Sequence, residues 1–343
     1  MIYQSSTTAT LRRRSLRGLA SVLAVGALVA GELSVAGATV SKPPTLVALK
    51  SAIAASVKIT KTPDLTKTTP LLTKMTVLDA TLAPIRFSCY ADSSITTVPS
   101  NAGTFCAYGD TKAKRTILLT GDSQAGMWLP ALNAIGKSML WKIVFLAKPG
   151  CAPWGNPNPS SYDIIGPVTV GVCNTFNANI QAWAVKNKPK VVLLDGKGYA
   201  LAPATVPDVA TLEGEIATTA ATYKVGGSKV IVLSPIPRFL PSLTVNSPST
   251  CLELVNPITN CEFAPNKFIP QSELTAESAE AAAKAISLAV VTPLLCTSAH
   301  CALFVKTSTS VHLVFYDTSH INSTYAVFIS SALATILKPL LPA

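Results

Sequence analysis

The chain has 343 residues, of which 49% are hydrophobic and 13% charged, with a formal net charge of +11 and eight cysteines. This length allows one large or two smaller domains, and the composition excludes disorder along the whole chain. Beyond the N-terminus no run of roughly 18 apolar residues occurs, which excludes a polytopic membrane protein, and closely spaced cysteines in even number point to disulfides and an oxidising compartment.

Residues 1–38 read as a signal peptide. Arg12, Arg13, Arg14 and Arg17 precede an apolar stretch over 19–31, and Ala36-Gly37-Ala38 offers a cleavage site. An uncleaved signal anchor is the alternative, and both predict export. Residues 39–84 read as a Thr/Lys/Pro-rich linker with at most one short helix. Lys42, Lys50, Lys58, Lys61, Lys67 and Lys74 against Asp64 and Asp79 make it basic, which suits either an anionic envelope surface or plain solubility. Without helix-turn-helix, basic-aromatic or zinc-finger patterns, nucleic acid is not an expected partner.

From residue 85 to 343 short β-branched runs alternate with helical stretches. The expected strands cover 115–120, 142–147, 190–194, 229–234 and 311–316, and the expected helices cover 125–139, 174–187, 209–224, 272–291 and 323–337. Nearly continuous apolar strands separated by helices predict an α/β fold, a parallel sheet covered on both faces in a three-layer α/β/α sandwich. In such sheets functional groups gather in the loops after the strands. Here those loops carry Gly121-Asp122-Ser123, Lys148-Pro149-Gly150-Cys151, Asp195-Gly196-Lys197-Gly198 and Asp317-Thr318-Ser319-His320.

Serine needs a base to become a nucleophile, and imidazole is the usual one near neutral pH. Ser123 is therefore the expected nucleophile and His320 its base. Asp317, three residues earlier, is close enough to orient the imidazole. The N–H groups of Ser123, at a helix start, and of Gly150 are the expected oxyanion donors. The competing reading is plain capping, with Asp122-Ser123 beginning one helix and His320 another. His312 alternates with apolar neighbours and reads as structural, and His300 sits in a tight loop between Cys296 and Cys301. Three scattered histidines predict no metal site.

The segments TILLTGDSQAGMWLPALNAIGKSMLWKIVFLAKPGCAPW and YDTSHINSTYAVF resemble the SGNH/GDSL hydrolase superfamily, and more specifically the SGNH domain associated with acyltransferase-3 proteins that O-acylate cell-surface glycans. The resemblance, over about residues 85–340, implies a flavodoxin-like parallel sheet, Ser123 as nucleophile with Asp317 and His320 as partners, and Gly150 in the oxyanion hole. The sequence departs from the family at two places. Gln124 stands where GDSH is common, and the oxyanion asparagine of the third block has no evident counterpart in Asp195-Gly196-Lys197. No membrane acyltransferase part is recognisable within these residues, so an acyl donor is expected either from solution or from a separate partner such as a membrane acyltransferase.

Paired in sequence, the cysteines give Cys89 with Cys106, Cys151 with Cys173, Cys251 with Cys261, and Cys296 with Cys301, each bridge pinning one loop locally. Gln124 and Trp154 are the expected substrate contacts, with plain packing as the alternative for Trp154, and Trp128, Trp141 and Trp183 belong to the core pattern. These readings combine into a secreted or envelope-associated serine esterase or acyltransferase, free of cofactors, that acts on O-acetyl or other O-acyl groups of cell-envelope carbohydrate. A catalytically weak or inactive module that binds envelope glycan is the alternative. Lipid ester hydrolysis fits the polar loop over 154–161 less well.

Overall fold

A computed structural model describes residues 42–79, 81, 83, 86, 88–91, 94–154, 162–163, 166–167, 170–196, 208–238, 248–254 and 264–342. The expected signal peptide, Lys197, Gly198 and Cys261 lie outside the described residues. In chain order the elements are α1 (Leu46–Ser56), β1 (Thr68–Thr69), α2 (Ala102–Phe105), β2 (Ala107–Gly109), β3 (Thr116–Gly121), α3 (Ser123–Met139) and β4 (Lys142–Ala147). They continue with β5 (Tyr162–Asp163), β6 (Gly166–Pro167), α4 (Val170–Asn187), β7 (Val191–Asp195), α5 (Val209–Val225), β8 (Lys229–Leu233) and α6 (Pro248–Leu254). The last are α7 (Pro265–Phe268), α8 (Gln271–Ala282), β9 (Ser287–Ala289), β10 (Phe304–Lys306), β11 (Val311–Leu313), α9 (Ser323–Phe328) and α10 (Ser330–Leu337).

Helix starts follow local chemistry. Asp122, Asp208 and Asn322 each place a side-chain oxygen on a backbone N–H of the first turn of α3, α5 and α9, where amides have no partner within the helix. The main sheet has six strands in the order β2-β4-β3-β7-β8-β9, all parallel except β2. Counted along the chain, its parallel strands run 2-1-3-4-5, the flavodoxin-like order, and the order reverses between β3 and β7.

Side chains alternate between two cores, because successive residues of a strand face opposite sides. Ile117, Leu119, Ile143, Phe145, Leu193 and Ile231 join α1, α3, α9 and α10 on one face. Leu118, Val144, Leu146, Val192, Leu194 and Val232 join α4, α5 and α8 on the other. The result is a three-layer α/β/α sandwich.

Three sequence expectations need correction. Residues 272–291 are not one helix. α8 stops at Ala282, Lys284 takes a left-handed φ of 61°, and β9 follows as the edge strand of the main sheet. β11 is not a main-sheet strand. It pairs with β1 and β10 in a separate three-stranded sheet, parallel to β1. The stretch over 39–84 is not a linker from Lys42 onward. Leu49 and Ile53 of α1 are 0% exposed within the first core, β1 pairs with β11, and Lys42–Ala343 forms a single unit.

Candidate active site

The position of Ser123 is built by a backbone crowding that only glycine permits. Gly121 ends β3 with a φ of 144°, and a Cβ there would stand 1.6 Å from the carbonyl oxygen of Asp195, its register partner on β7. The chain turns at once into α3. Asp122 accepts from the Gln124 N–H at 2.7 Å, and Ser123 is the first helical residue, half-buried, at the end where amide dipoles concentrate positive potential. The switch point of the sheet therefore lies directly beside Ser123.

The opposing group comes from a tight loop after β11. Tyr316 N–H donates to the His320 carbonyl, and Phe315 bridges Ile321, which closes the loop at its base. Asp317 Oδ1 accepts from the backbone N–H groups of Ser319 at 2.7 Å and His320 at 2.8 Å. The same carboxylate faces His320 Nδ1, with Oδ2 at 2.8 Å and Oδ1 at 2.9 Å. A spacing of three residues thus lets one carboxylate hold both the turn and the ring.

His320 Nε2 lies 2.7 Å from Ser123 Oγ. An ionised carboxylate only accepts, so Nδ1–H donates to Asp317 and the Nε2 lone pair is left to accept the serine proton. The structure brings Ser123, His320 and Asp317 together in one hydrogen-bonded line. That arrangement can activate the hydroxyl and stabilise the imidazolium that forms.

Gly150 sits in the turn after β4. Pro149 precedes it, its φ is 74°, and Cys151 N–H donates to the Lys148 carbonyl, as in a type II turn. Lys148 N–H donates to the Gly121 carbonyl, fixing this turn to the end of β3, and the buried Lys148 Nζ donates to the Ile95 carbonyl at 2.9 Å. Cys89–Cys106, Cys151–Cys173 and Cys296–Cys301 are bonded. Cys251 is also in a disulfide, and its expected partner Cys261 lies outside the described residues.

Two expected substrate contacts are corrected. Gln124 is 0% exposed, and its Nε2 donates to the Ser319 carbonyl, between Asp317 and His320. It is a clamp between α3 and the histidine loop, which Met127 Sδ reinforces by accepting from Ile321 N–H. Trp154 is 2% exposed and packs in the second core, so its ring has no open face for stacking on a sugar.

Sequence reasoning missed a layer of buried polar groups below the rim. Asp195 Oδ2 accepts from Trp128 Nε1, so the last residue of β7 presents a carboxyl bound inward to α3. Burial, and then the charge of Asp122, push the Asp195 carboxyl well above the usual carboxylate range. Arg238, just past β8, makes a buried two-pronged ion pair with Glu273 of α8 at 2.7 and 2.8 Å. Glu277 is raised by burial first and then by Glu273. The available signal was Glu273 and Glu277, four apart on one helix face, against a lone arginine after a strand. Among the described residues no group of three His, Cys, Asp or Glu could hold a metal ion.

A search of curated proteins finds no match. Among solved structures, the periplasmic domain of a lipopolysaccharide acetyltransferase from Salmonella ser. Paratyphi A aligns at 16% identity over 71% of this chain and 89% of its own, with a TM-score of 0.50, a likeness of fold. A GDSL-like lipase from Bacteroides thetaiotaomicron aligns at 15% identity over 66% of this chain and 89% of its own, with a TM-score of 0.40. A putative acylhydrolase from Bacteroides fragilis aligns at 14% over 71% and 95%, with a TM-score of 0.42. The family model described as the SGNH domain fused to AT3 domains matches residues 88–335. With the flavodoxin-like sheet and a serine at its switch point, that match places this chain in the SGNH domain family.

Proposed function

We propose that this protein is a serine esterase or acyltransferase of the extracytoplasmic envelope, acting on O-acyl groups of carbohydrate, acetyl first among them. The observation that carries the reading is the 2.7 Å approach of His320 Nε2 to Ser123 Oγ with Asp317 on the far ring nitrogen. Ser123 Oγ attacks the ester carbonyl as its proton passes to His320 Nε2. The tetrahedral intermediate is held by the N–H groups of Ser123 and Gly150. Its collapse breaks the bond to the sugar oxygen, which takes the proton from His320 and leaves an acyl-serine. Water or a second sugar hydroxyl, deprotonated by His320, then removes the acyl group and restores Ser123. A separate membrane acyltransferase is the partner that fits transfer, and the disulfides support an oxidising compartment.

A second reading, a glycan-binding module without turnover, is favoured by one feature. Asp195 is tied to Trp128 where an amide donor would complete the oxyanion hole. Loss of one such donor costs on the order of 10²-fold in rate. Fluorophosphonate labelling of the folded protein, beside Ser123→Ala and His320→Ala, separates the two readings, with p-nitrophenyl acetate hydrolysis read in parallel. The esterase reading expects labelling that requires both residues, and unlabelled, folded wild-type protein sinks it.

A further inference from the structure

We infer that the pole of the molecule opposite Ser123 docks on the anionic headgroup surface of a phospholipid bilayer and so turns the rim away from it. Docking there is independent of the chemistry of Ser123. Because β4, β3, β7, β8 and β9 are parallel neighbours, all five begin at one edge of the sheet, and Ser123, just past the end of β3, lies at the other. Each of these strands has a cation at its start or shortly before it: Lys142, Arg115, Lys190, Lys229 and Lys284, in the same order. Lys142 N–H donates to the Arg115 carbonyl at 2.9 Å and Lys229 N–H to the Lys190 carbonyl at 3.0 Å, so the cations stand side by side. At about 4.8 Å between strands, the row is about 20 Å long. Among the described residues none of the five is in an ion pair. Arg115 donates to the Met139 carbonyl and lies over the Trp141 ring, which leaves the lysines to meet a partner. In the described turns at this edge, and the helix ends that lead into them, Asp110 and Glu280 are the only carboxylates.

The backbone marks the same pole. Among the described residues three other than glycine take a left-handed φ, Leu140 at 58°, Lys188 at 51° and Lys284 at 61°. All three lie here, within two residues of the ends of α3, α4 and α8. Glycine is the usual residue at such a position, because a Cβ is strained there. Each of the three presents an exposed side chain instead, two ammonium groups and one branched alkyl group. Cations in the last turn of a helix also complement its dipole, which accounts for Lys137, Lys186 and Lys224. It does not account for lysines at strand starts, nor for a leucine in a conformation that glycine takes more easily. A row of cations suits any polyanion. Leu140, 62% exposed, and Val225, 77% exposed beside Lys224 at the end of α5, favour a bilayer. Apolar side chains gain from entering the boundary between headgroups and acyl chains, while lysines around them meet anionic headgroups.

The test is co-sedimentation of the full chain with vesicles of phosphatidylcholine, alone or mixed with an equal part of phosphatidylglycerol. Wild type is expected to bind the anionic vesicles about 10-fold more strongly than the neutral ones, and added salt to erode the difference. Lys190→Glu with Lys229→Glu is expected to abolish that preference. Lys74→Glu with Lys267→Glu makes the same charge change toward the rim end, where Thr76 and Phe268 accept from Ser323 and Arg238, and is expected to alter binding less than about 2-fold. Lys188→Gly with Lys284→Gly is expected to weaken binding several-fold with no fall in melting temperature, since glycine takes a left-handed φ readily. Position is read with Val225→Trp, whose fluorescence brominated phosphatidylcholine is expected to quench beyond the wild-type background, beside Val47→Trp on α1, which it leaves unquenched. Equal binding to both vesicles, or binding indifferent to Lys190 and Lys229, overturns the inference. So does quenching at Val47 without quenching at Val225, which would mean that residues 1–41 hold the protein. Dextran sulfate that binds at the lysine row, with vesicle binding unmoved by Leu140→Gly and Val225→Ser, would make the occupant a soluble polyanion and overturn the bilayer.

Discussion

A single side-chain amide links the two halves of the candidate site. Gln124 is fully buried and donates to the carbonyl that lies between Asp317 and His320, so it sets where the imidazole stands relative to Ser123. Gln124→Ala leaves that carbonyl without its donor, a loss of roughly 1–3 kcal/mol, and frees the loop. Fluorophosphonate labelling of Ser123 is expected to slow by about 10-fold without vanishing, whereas Ser123→Ala abolishes it. A second residue-scale consequence concerns His312, whose ring stacks on Phe328 and whose Nε2 meets Ser310 Oγ at 2.7 Å. Burial lowers its pKa from 6.5 to about 4. The folded state therefore binds fewer protons than the unfolded chain between those values. Its contribution to stability is complete above pH 6.5 and is lost as the pH falls toward 4. Urea midpoints at about pH 7.5, 5.5 and 4.5 are expected to drop more steeply for wild type than for His312→Gln. Ser123, Asp317 and His320 were legible because each stands in a turn beside a strand end, where local sequence marks it. Gln124 to Ser319 and Trp128 to Asp195 were not. Those bonds join residues 195 and 67 positions apart, and nothing local reveals which carbonyl an amide will face.

At the scale of elements, composition misled where few residues do the packing. The Thr, Lys and Pro content of 39–84 hides a helix in which Leu49 and Ile53 alone reach full burial among its large apolar side chains, one short stripe on α1. Because Leu49 is fully buried in the first core, Leu49→Ala is expected to destabilise the protein by about 2–4 kcal/mol, through lost apolar burial and the cavity left behind. Equilibrium urea unfolding checks this, and a change below about 0.5 kcal/mol would mean that α1 is only loosely attached. The longer pieces β3, β4, β7 and β8, with α3, α4 and α5, were readable from their periodicity. β9 was not, since its three residues Ser287–Ala289 carry no β-branched signal, and the break before it is a lysine in a conformation usually marked by glycine. The run over 311–316 was recognised as a strand but not assigned to its own sheet, because β1 and β10, its partners, are too short to announce themselves.

For the whole molecule, the covalent cross-links set how firmly the rim is held. Cys151 and Cys173, 22 positions apart, close a loop that contains Trp154 and begins beside Gly150. Removing the bridge with Cys151→Ser and Cys173→Ser is expected to cost about 3 kcal/mol. Thermal unfolding should show the loss, and labelling of Ser123 should slow if the Gly150 turn is the part released. The same long-range wiring also bears on the order in which the molecule comes into being. Ser123 belongs to the first strand–helix unit of the main sheet, while Asp317 and His320 hang from β11, whose neighbour β1 comes from residues 68–69. Non-local closures of this kind are slow to form and are made late. During synthesis β1 must wait for nearly the entire chain before its partner β11 exists, so a truncated or half-folded molecule carries Ser123 without His320 beside it. If Ser123 is the nucleophile proposed above, labelling by fluorophosphonate is then expected only once the fold is complete.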